Sequence, residues 1–429
     1  MNSGGNRWPG DTWYETTSIR PQFQSLSGKR RCRLAVVGGG LTGIAVALGL
    51  IERGQNDVLV VDAAEPGAGA SGRNGGFVFA GYSLDNDSLV DQLGSTAART
   101  LHGWTREAVA LIRKRIDHYD IDCQVNDAGV LLADWFGNEA VLQAFSERMQ
   151  DRLDFRLDPV GQKQMQEYVR SSRYGAGLHE PGSFHFHPLR HIRGLAEVIR
   201  DAGGDVLAES PVRSIEHRSG RWRVVSDRGE VDAAEVVLAT GGYDRRLCRS
   251  VQRALQPVAT YIAVTEPLGD WIEELMPTPV AVYDTRFAFD YYRPLPDSRL
   301  LWGGRISMAA RSPSAIRRLM ARDLRRVFPQ LAGIRFDHAW GGWMSYARHQ
   351  MPVLGRTPEG LWYALAFGGH GMATTTLAGD IMAEALTGND LRLQAFKRWP
   401  PVWAGGGIGR LSIQCYYWLC QVRDWWRGR

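Results

Sequence analysis

A glycine-rich turn early in the chain has the residue types and spacing of a dinucleotide site. Gly38, Gly40 and Gly43 follow an apolar run at residues 34–37 and precede a helical pattern at 44–53. The first glycine permits a tight turn, the second lets the backbone approach a pyrophosphate, and the third lets the helix pack closely on the strand. The N–H groups and the dipole at a helix start favour the negative charge of phosphates.

The same unit ends on an acidic residue that suits a ribose. A second apolar run at residues 58–61 leads to Asp62, about 20 residues beyond the last glycine. Strand, turn, helix, strand and acid together favour a dinucleotide-binding βαβ unit over a plain glycine turn. We therefore expect Leu41, Thr42 and Ala63 to contact the cofactor as well.

A second glycine-rich segment, residues 66–76, follows directly after the strand that precedes Asp62. It repeats the glycine spacing, but no new strand precedes it, so we interpret it as a loop close to a flat or anionic ligand. Its glycines let the main chain approach, and its polar side chains offer donors. The alternative is a flexible surface loop. The residues predicted to border the ligand are Ser71, Gly72, Arg73, Asn74, Gly75 and Gly76.

A third glycine loop, residues 368–376, lies near the other end of the chain and leads into a predicted helix at 377–386. A helix N-terminus is an anion site, so two such starts could serve the two ends of one large cofactor. The residues predicted to contact that cofactor here are Gly369, His370, Gly371, Met372 and Thr374.

Composition limits the remaining classes of protein. The chain has 429 residues, 44% of them hydrophobic and 23% charged, which is typical of a globular protein of two domains. The net charge of +5 is mild and requires no nucleic acid partner. Five scattered cysteines predict neither a metal site nor a disulfide framework and suit a cytoplasmic protein. No apolar stretch is long enough to predict a membrane span or a signal peptide.

The alternation of helical and strand patterns predicts a combined α/β and α+β fold. We expect a doubly wound, Rossmann-like domain that is interrupted by a substrate domain with a mixed or antiparallel sheet and covering helices. Trp8, Trp13 and Tyr14 in the lead-in are expected to pack on the body. The predicted segments are a lead-in at 1–30, the first domain at 31–84, 185–250 and 347–390, the second domain at 85–184 and 251–346, and a tail at 391–429.

The tail mixes aromatic residues with arginines from residue 411 to 429. Such a segment could lie on a membrane surface or on another subunit. We favour the third interpretation, a C-terminal helix packed on its own body.

Two motifs in combination, residues 69–76 and 368–371, resemble the D-amino-acid oxidase superfamily of FAD-dependent oxidoreductases. Within it the chain is most similar to the gamma-glutamylputrescine oxidase branch. The further matching features are Trp13-Tyr14, residues 265–268 and residues 299–305.

The resemblance implies roles for the glycine motifs. FAD is the expected cofactor, with its pyrophosphate at Gly38, Gly40 and Gly43 and its adenosine ribose at Asp62. The loop of residues 71–76 would run beside the flavin. Adenine would contact Val212, Thr240 and Gly241 would border the cofactor, and residues 370–372 would pass near the pyrimidine edge of the flavin. The helix behind them, starting near Thr374, would stabilise negative charge on the reduced ring. Non-covalent attachment is expected because no cysteine lies near residues 368–376, and a link through His370 is the alternative.

Two positions depart from the family's pattern. D-amino acid and glycine oxidases carry a carboxylate-binding arginine shortly after a W-x-G segment, and Trp343 and Met344 stand there in this chain. Sarcosine oxidases carry an oxygen-activating lysine just after their G-H-G-x, where this chain has Ala373.

The function expected on this basis is oxidation of a small amine, amino acid or cyclic imino acid. Hydride passes from the carbon beside nitrogen to the flavin, and O2 accepts the electrons to give hydrogen peroxide. Pipecolate-type acids and gamma-glutamyl amines are the favoured substrates. The alternatives are a membrane-linked dehydrogenase with another acceptor and a non-catalytic dinucleotide-binding module. The candidate catalytic residues, in which aromatics would cage the amine and an arginine would clamp a carboxylate, are Tyr82, Tyr261, Tyr292, Arg293, Arg348 and His370.

Overall fold

The computed structural model describes residues 12–243 and 246–428, which form two eight-stranded sheets, a short third sheet and the helices around them. The strands are β1 (Gly28–Val37), β2 (Val58–Val61), β3 (Phe77–Val78), β4 (Val130–Ala133), β5 (Asp158–Val160), β6 (Gly177–Glu180), β7 (Phe184–His185), β8 (Asp205–Leu207), β9 (Val212–Arg218), β10 (Arg221–Ser226), β11 (Gly229–Leu238), β12 (Gln256–Thr265), β13 (Ala281–Asp284), β14 (Asp290–Pro294), β15 (Leu300–Ser307), β16 (Phe336–Tyr346), β17 (Val353–Arg356) and β18 (Trp362–Leu365). The helices are α1 (Trp13–Thr16), α2 (Leu41–Ile51), α3 (Asn86–Leu93), α4 (Ser95–His118), α5 (Glu139–Leu153), α6 (Gln162–Tyr168), α7 (Pro188–Asp201), α8 (Arg249–Gln252), α9 (Trp271–Leu275), α10 (Pro313–Val327), α11 (Gly371–Leu386), α12 (Leu391–Phe396) and α13 (Gly406–Arg427).

The first sheet carries the predicted dinucleotide-binding unit. Its order is β17-β18-β11-β1-β2-β8, with β10 and β9 attached beside β11, and β1 pairs in parallel with both β2 and β11. Helices α2 and α11 pack on each other along this sheet. Gly379 makes that close approach possible, since a Cβ there would lie 2.3 Å from the Cβ of Ala45.

The second sheet has the order β16-β12-β15-β14-β13-β4-β6-β5. Its pairs are antiparallel apart from β13 with β4, and α10 covers one face with Ile316, Met320 and Leu324 buried. Parallel and antiparallel sheets together confirm the predicted fold class. The domain boundaries stay a prediction.

Several elements differ from their sequence-based outlines. The helix expected from residue 88 to 121 is two helices, because Gly94 adopts a φ of +76° and separates α3 from α4. Helix α11 begins at Gly371, six residues before the expected start at Leu377, because Met372 to Thr376 already have helical geometry and are buried. Trp13 and Tyr14 are buried as expected, whereas Trp8 lies outside the described residues.

Candidate cofactor-binding and active site

A cavity of about 1600 Å³ is lined by residues of both large sheets. Its walls include the carboxyl ends of β1 and β2 on one side and parts of β13 to β16 on the other. Ordinary small-molecule pockets have volumes of about 300–1,000 Å³. This cavity therefore has room for a dinucleotide together with a second small molecule.

At each of the three glycines of the first turn, a close backbone or side-chain neighbour leaves no room for a Cβ. A Cβ on Gly38 would lie 2.5 Å from the carbonyl oxygen of Ala239, and Gly38 itself has a φ of +116°. A Cβ on Gly43 would lie 1.9 Å from the Gly38 carbonyl oxygen, and one on Gly40 would lie 2.9 Å from Ser71 Oγ. Gly38 and Gly40 line the cavity, whereas Gly43 joins helix to strand behind it.

Asp62 stands at the end of β2 with its carboxylate fixed by two backbone donors. Its Oδ2 accepts from the Gly39 N–H at 2.5 Å, and its Oδ1 accepts from the Ala64 N–H at 2.8 Å. Burial raises the pKa of Asp62, and the two N–H bonds oppose that rise. The side chain lines the cavity, where an oriented carboxylate suits a ribose hydroxyl.

Residues 66–76 form a fixed loop rather than a flexible one. Ser71 Oγ accepts from the Leu41 N–H at 2.9 Å, which joins the loop to the start of α2. Asn74 closes the loop internally, with Oδ1 accepting from Gly76 N–H at 2.8 Å and Nδ2 donating to Ser71 O at 2.7 Å. Tyr14 donates to Asn74 O at 2.8 Å, so the N-terminal lead-in also holds this loop.

Arg293 fastens the far end of the same loop. Its Nε donates to Gly75 O at 2.7 Å and its Nη2 donates to Phe186 O at 2.8 Å. The side chain is buried and does not line the cavity. This placement does not support the direct catalytic role predicted for Arg293. Its side chain instead positions the backbone of residues beside the cavity.

The start of α11 faces the cavity from the other direction. Gly369, His370, Gly371 and Met372 all line the cavity. Ser83 Oγ accepts from the Gly369 N–H at 2.9 Å and fixes the loop before the helix. Burial lowers the pKa of His370 to about 4, so its ring is neutral at pH 7.

Most of the predicted cofactor residues line this one cavity. Those that do are Gly38, Gly40, Leu41, Thr42, Asp62, Ala63, Ser71, Arg73, Asn74, Gly75, Val212, Thr240, Gly241, Gly369, His370, Gly371 and Met372. Four do not: Gly43, Gly72, Gly76 and Thr374. At each of the three glycines a Cβ would clash with a backbone carbonyl oxygen, and Thr374 Oγ1 donates to His370 O, so these residues have structural contacts. Two helix starts, a fixed carboxylate and glycines without room for a Cβ fit an FAD, and the individual contacts stay a prediction.

All three predicted catalytic tyrosines lie away from the cavity. Tyr82 is buried and donates to Leu101 O at 2.9 Å. Tyr261 is buried with its hydroxyl donating to Ala309 O at 2.6 Å. Tyr292 is stacked on Trp302 with ring centroids 4.5 Å apart. These placements do not support caging of an amine by these three rings.

Strand alternation explains why Tyr261 and Tyr292, both predicted to contact the substrate, face away from the cavity. Neighbouring residues of a strand point to opposite faces of the sheet. Tyr261 and Tyr292 face the core beneath α10, whereas their neighbours Thr260 and Tyr291 line the cavity. Of the predicted catalytic residues, Arg348 and His370 do line it.

The sequence reasoning missed an aromatic wall on the second-sheet side of the cavity. Phe79 packs against His370 at 5.0 Å and stacks on Tyr283 at 5.7 Å, and Tyr283 contacts Phe289 at 5.9 Å. Phe77, Tyr291 and Tyr346 line the same cavity. Strand alternation places Tyr291 and Tyr292 on opposite faces of β14 but does not say which of them lines the cavity, and the loop residues have no such sequence signal.

Arg286 was also not predicted, and it lines the cavity beside this wall. Its Nη2 donates to Asp284 Oδ2 and to Asp290 Oδ2, both at 2.6 Å, and both aspartates are fully buried. Its guanidinium lies 3.6 Å from the centroid of the Trp135 ring. The side chain is therefore rigid and its charge is already offset by carboxylates.

The positions that depart from the family's pattern face the same space. Trp343, Met344 and Ala373 all line the cavity. An arginine at 344 or a lysine at 373 would therefore reach bound molecules, and this chain presents a thioether and a methyl group instead.

Comparison with known proteins agrees with this site. A family model described as DAO, FAD dependent oxidoreductase, matches residues 33–385. Gamma-glutamylputrescine oxidoreductase of Escherichia coli is 35% identical over 381 residues, which cover 88% of this chain and 89% of the relative.

Solved structures share the fold at lower identity. L-proline dehydrogenase from P. horikoshii superposes with a TM-score of 0.72 at 18% identity, covering 88% of this chain and 98% of the other. Glycine oxidase from Geobacillus kaustophilus gives 0.70 at 20% identity, with coverage of 84% and 95%. The resemblance indicated by the sequence motifs and the expected cofactor are both confirmed, and the chain belongs to the DAO family of FAD-dependent oxidoreductases.

Proposed function

We propose that this enzyme oxidises an amine of the gamma-glutamyl-amine type, with O2 as the electron acceptor. The observation that carries this proposal is the composition of the cavity beyond the glycine motifs. Aromatic rings form its wall, and Trp343 and Met344 line it in the segment where the family resemblance places a carboxylate-binding arginine. Such a site favours an amine on an apolar chain over an amine that sits directly beside a carboxylate. The similarity of this chain to gamma-glutamylputrescine oxidoreductase supports the same class of substrate.

When bound, FAD would supply the acceptor for a hydride from the carbon beside nitrogen. The nitrogen would release one proton to solvent, and water would hydrolyse the resulting imine to a carbonyl compound and an amine or ammonia. The chain's own contribution is to position that C–H bond and to exclude water from it.

The neutral ring of His370 suits an uncharged amine. Because burial lowers the pKa of His370 to about 4, its ring is uncharged at pH 7, and a neutral imidazole can accept a hydrogen bond from the N–H of an uncharged amine. Its contact with Phe79 keeps the ring beside the aromatic wall. We propose that His370 orients the amine and that Phe79, Tyr283 and Tyr291 hold its chain.

The test is anaerobic titration of the purified protein with candidate amines. Gamma-glutamyl amines should bleach the visible flavin absorption at lower concentrations than pipecolate, proline, sarcosine or D-amino acids. Readmission of air should restore the absorption and release hydrogen peroxide. A flavin that none of these compounds reduces would refute the proposal.

A second candidate function rests on the outer side of α13. Trp418, Leu419, Val422 and Trp426 are each more than half exposed, and Arg423 lies among them. Helices with aromatic, apolar and basic residues bind anionic membrane surfaces. Across the described part of the chain, no helix combines the length and the apolar character needed to cross a bilayer. We therefore propose surface attachment with a non-oxygen acceptor as the alternative.

Two measurements separate these functions. The alternative predicts co-sedimentation with vesicles that contain phosphatidylglycerol, and faster turnover with a quinone than with O2. Full turnover with O2 in detergent-free buffer, without vesicle binding, would refute the alternative and support the oxidase. The cytoplasmic location stays a prediction in either case.

A further inference from the structure

The C-terminal helix forms part of the cavity wall although it lies beyond the part of the chain that the family model matches. That match ends at residue 385, and α13 begins at Gly406. Two adjacent rows of the helix, each with a spacing of four residues, line the cavity. The rows are Ile408, Ser412 and Tyr416, and Gly409, Ile413 and Tyr417. This face of α13 is therefore part of the site.

Hydrogen bonds hold α13 against the end of β15. Tyr417 Oη accepts from the Ile306 N–H at 3.1 Å, and Gln414 Oε1 accepts from the Met308 N–H at 3.1 Å. Arg410 Nη2 donates to Met308 O at 2.6 Å. The wall is anchored through backbone groups of the second sheet.

The same helix is joined to the loop that continues the aromatic wall. Asp424 Oδ2 accepts from the Ala288 N–H at 3.3 Å. The ring of Phe287 meets Tyr416 edge-on with centroids 5.6 Å apart and lies 6.2 Å from Tyr417. Phe287 and Phe289 both line the cavity and are 38% and 40% exposed, so they remain available to a bound molecule.

A path of aromatic rings thus leads from the start of α11 to α13. Ring contacts join His370 to Phe79, Tyr283 and Phe289 in turn. Phe287, which lines the cavity two residues before Phe289, contacts Tyr416 and continues the aromatic lining to α13. Aromatic faces pack on methylene groups and attract cations along their length. The path is suited to an extended chain rather than to a compact amino acid.

We propose that α13 forms a distal subsite which holds the far end of the substrate and sets the length of amine that the enzyme accepts. The ligand class is an amine on an extended chain, such as a diamine acylated at its far nitrogen. This inference rests on the proposed function, in that the reacting amine is placed near His370. It adds that Tyr416 contacts the end remote from the reacting carbon.

The test compares Tyr416→Ala with Leu411→Ala, a control at an exposed position of the same helix. Tyr416 is 56% and Leu411 64% exposed, but Leu411 does not line the cavity. We expect Tyr416→Ala to lower kcat/KM for a gamma-glutamyl diamine about tenfold through KM, and to change that for ethylamine less than twofold. Tyr416→Phe, which keeps the ring, should retain wild-type values.

A blocking variant tests the same point in the opposite direction. Ser412→Trp places a large ring on the cavity face, and it should exclude the gamma-glutamyl diamine while ethylamine is still oxidised. Equal losses for both amines with either cavity-face variant, or the same loss with Leu411→Ala, would overturn the proposal.

A binding measurement separates this proposal from the proposed function. Hexyltrimethylammonium and tetramethylammonium carry no N–H and form no imine, so their binding is read from the shift of flavin absorption. The wild type should bind the longer ion more tightly, and Tyr416→Ala should abolish the difference. If no amine is oxidised but this preference is present, the proposed function fails and the subsite stands. Equal binding of both ions by the wild type refutes the subsite.

Discussion

Arg293→Ala should lower the stability of the protein and its affinity for FAD, rather than remove a group that takes part in the reaction. In the native chain the guanidinium donates to Gly75 O at 2.7 Å and to Phe186 O at 2.8 Å, and the side chain is 3% exposed. Hydrogen bonds to a charged donor contribute about 1.5–3 kcal/mol each, so the loss of two predicts a fall of about 3–6 kcal/mol in the free energy of unfolding. Arg293→Lys should recover little, because an ammonium group cannot reproduce the fork that joins the two carbonyls.

Urea unfolding and FAD binding measure this effect together. We expect a lower unfolding midpoint and at least a tenfold weaker FAD affinity for Arg293→Ala, read from the recovery of flavin fluorescence on release. Arg348→Ala is the control, since Arg348 lines the cavity but is exposed, and it should leave the unfolding midpoint unchanged. Wild-type stability and wild-type FAD affinity combined with lost turnover in Arg293→Ala would refute the positioning role and restore the catalytic one.

Three further predictions address the cofactor site, acid stability and specificity. Asp62→Ala should weaken FAD binding at least tenfold, measured by equilibrium dialysis, because it leaves the Gly39 and Ala64 N–H groups without their acceptor. Burial lowers the pKa of His102 to about 4 from 6.5, so the unfolded chain binds the extra proton and stability falls as pH drops from 6.5 towards 4. Between pH 7 and pH 5 the free energy of unfolding, measured with urea, should therefore fall by about 2 kcal/mol less in His102→Leu than in the wild type. An equal fall in both proteins would contradict this. Met344→Arg should raise kcat/KM for sarcosine and D-alanine relative to gamma-glutamyl amines, and no change in that ratio would contradict the role given to position 344.

The placement of the glycine motifs around the cavity was predictable because their sequence signals are local. The turn at Gly38 and the acid at Asp62 lie within one βαβ unit, where spacing along the chain determines spacing in three dimensions. Burial of Trp13 and Tyr14 followed from their size alone. The fold class and the cofactor are accordingly predictable from the amino-acid sequence.

The substrate side was predicted poorly because it depends on register and on long-range packing. Tyr291 and Tyr292 are equivalent in sequence, and only the pairing of β14 with β15 decides which ring faces the cavity. Arg293 was predicted to bind substrate because the sequence does not show that it donates a hydrogen bond to Gly75 O, a group far away in the chain. The packing of α13 on β15 is likewise a tertiary contact, and the amphipathic pattern of the helix did not indicate which neighbour it would cover.

The central claim is that an amine on an extended chain reduces the flavin of this enzyme. Anaerobic titration of the purified yellow protein with a gamma-glutamyl diamine, followed in the visible spectrum, tests that claim most directly. The account predicts complete loss of the oxidised flavin absorption with one equivalent of substrate per flavin, and slower or incomplete loss with sarcosine and D-amino acids. A flavin that stays oxidised with the diamine derivative, or that is reduced more readily by the amino acids, would contradict it.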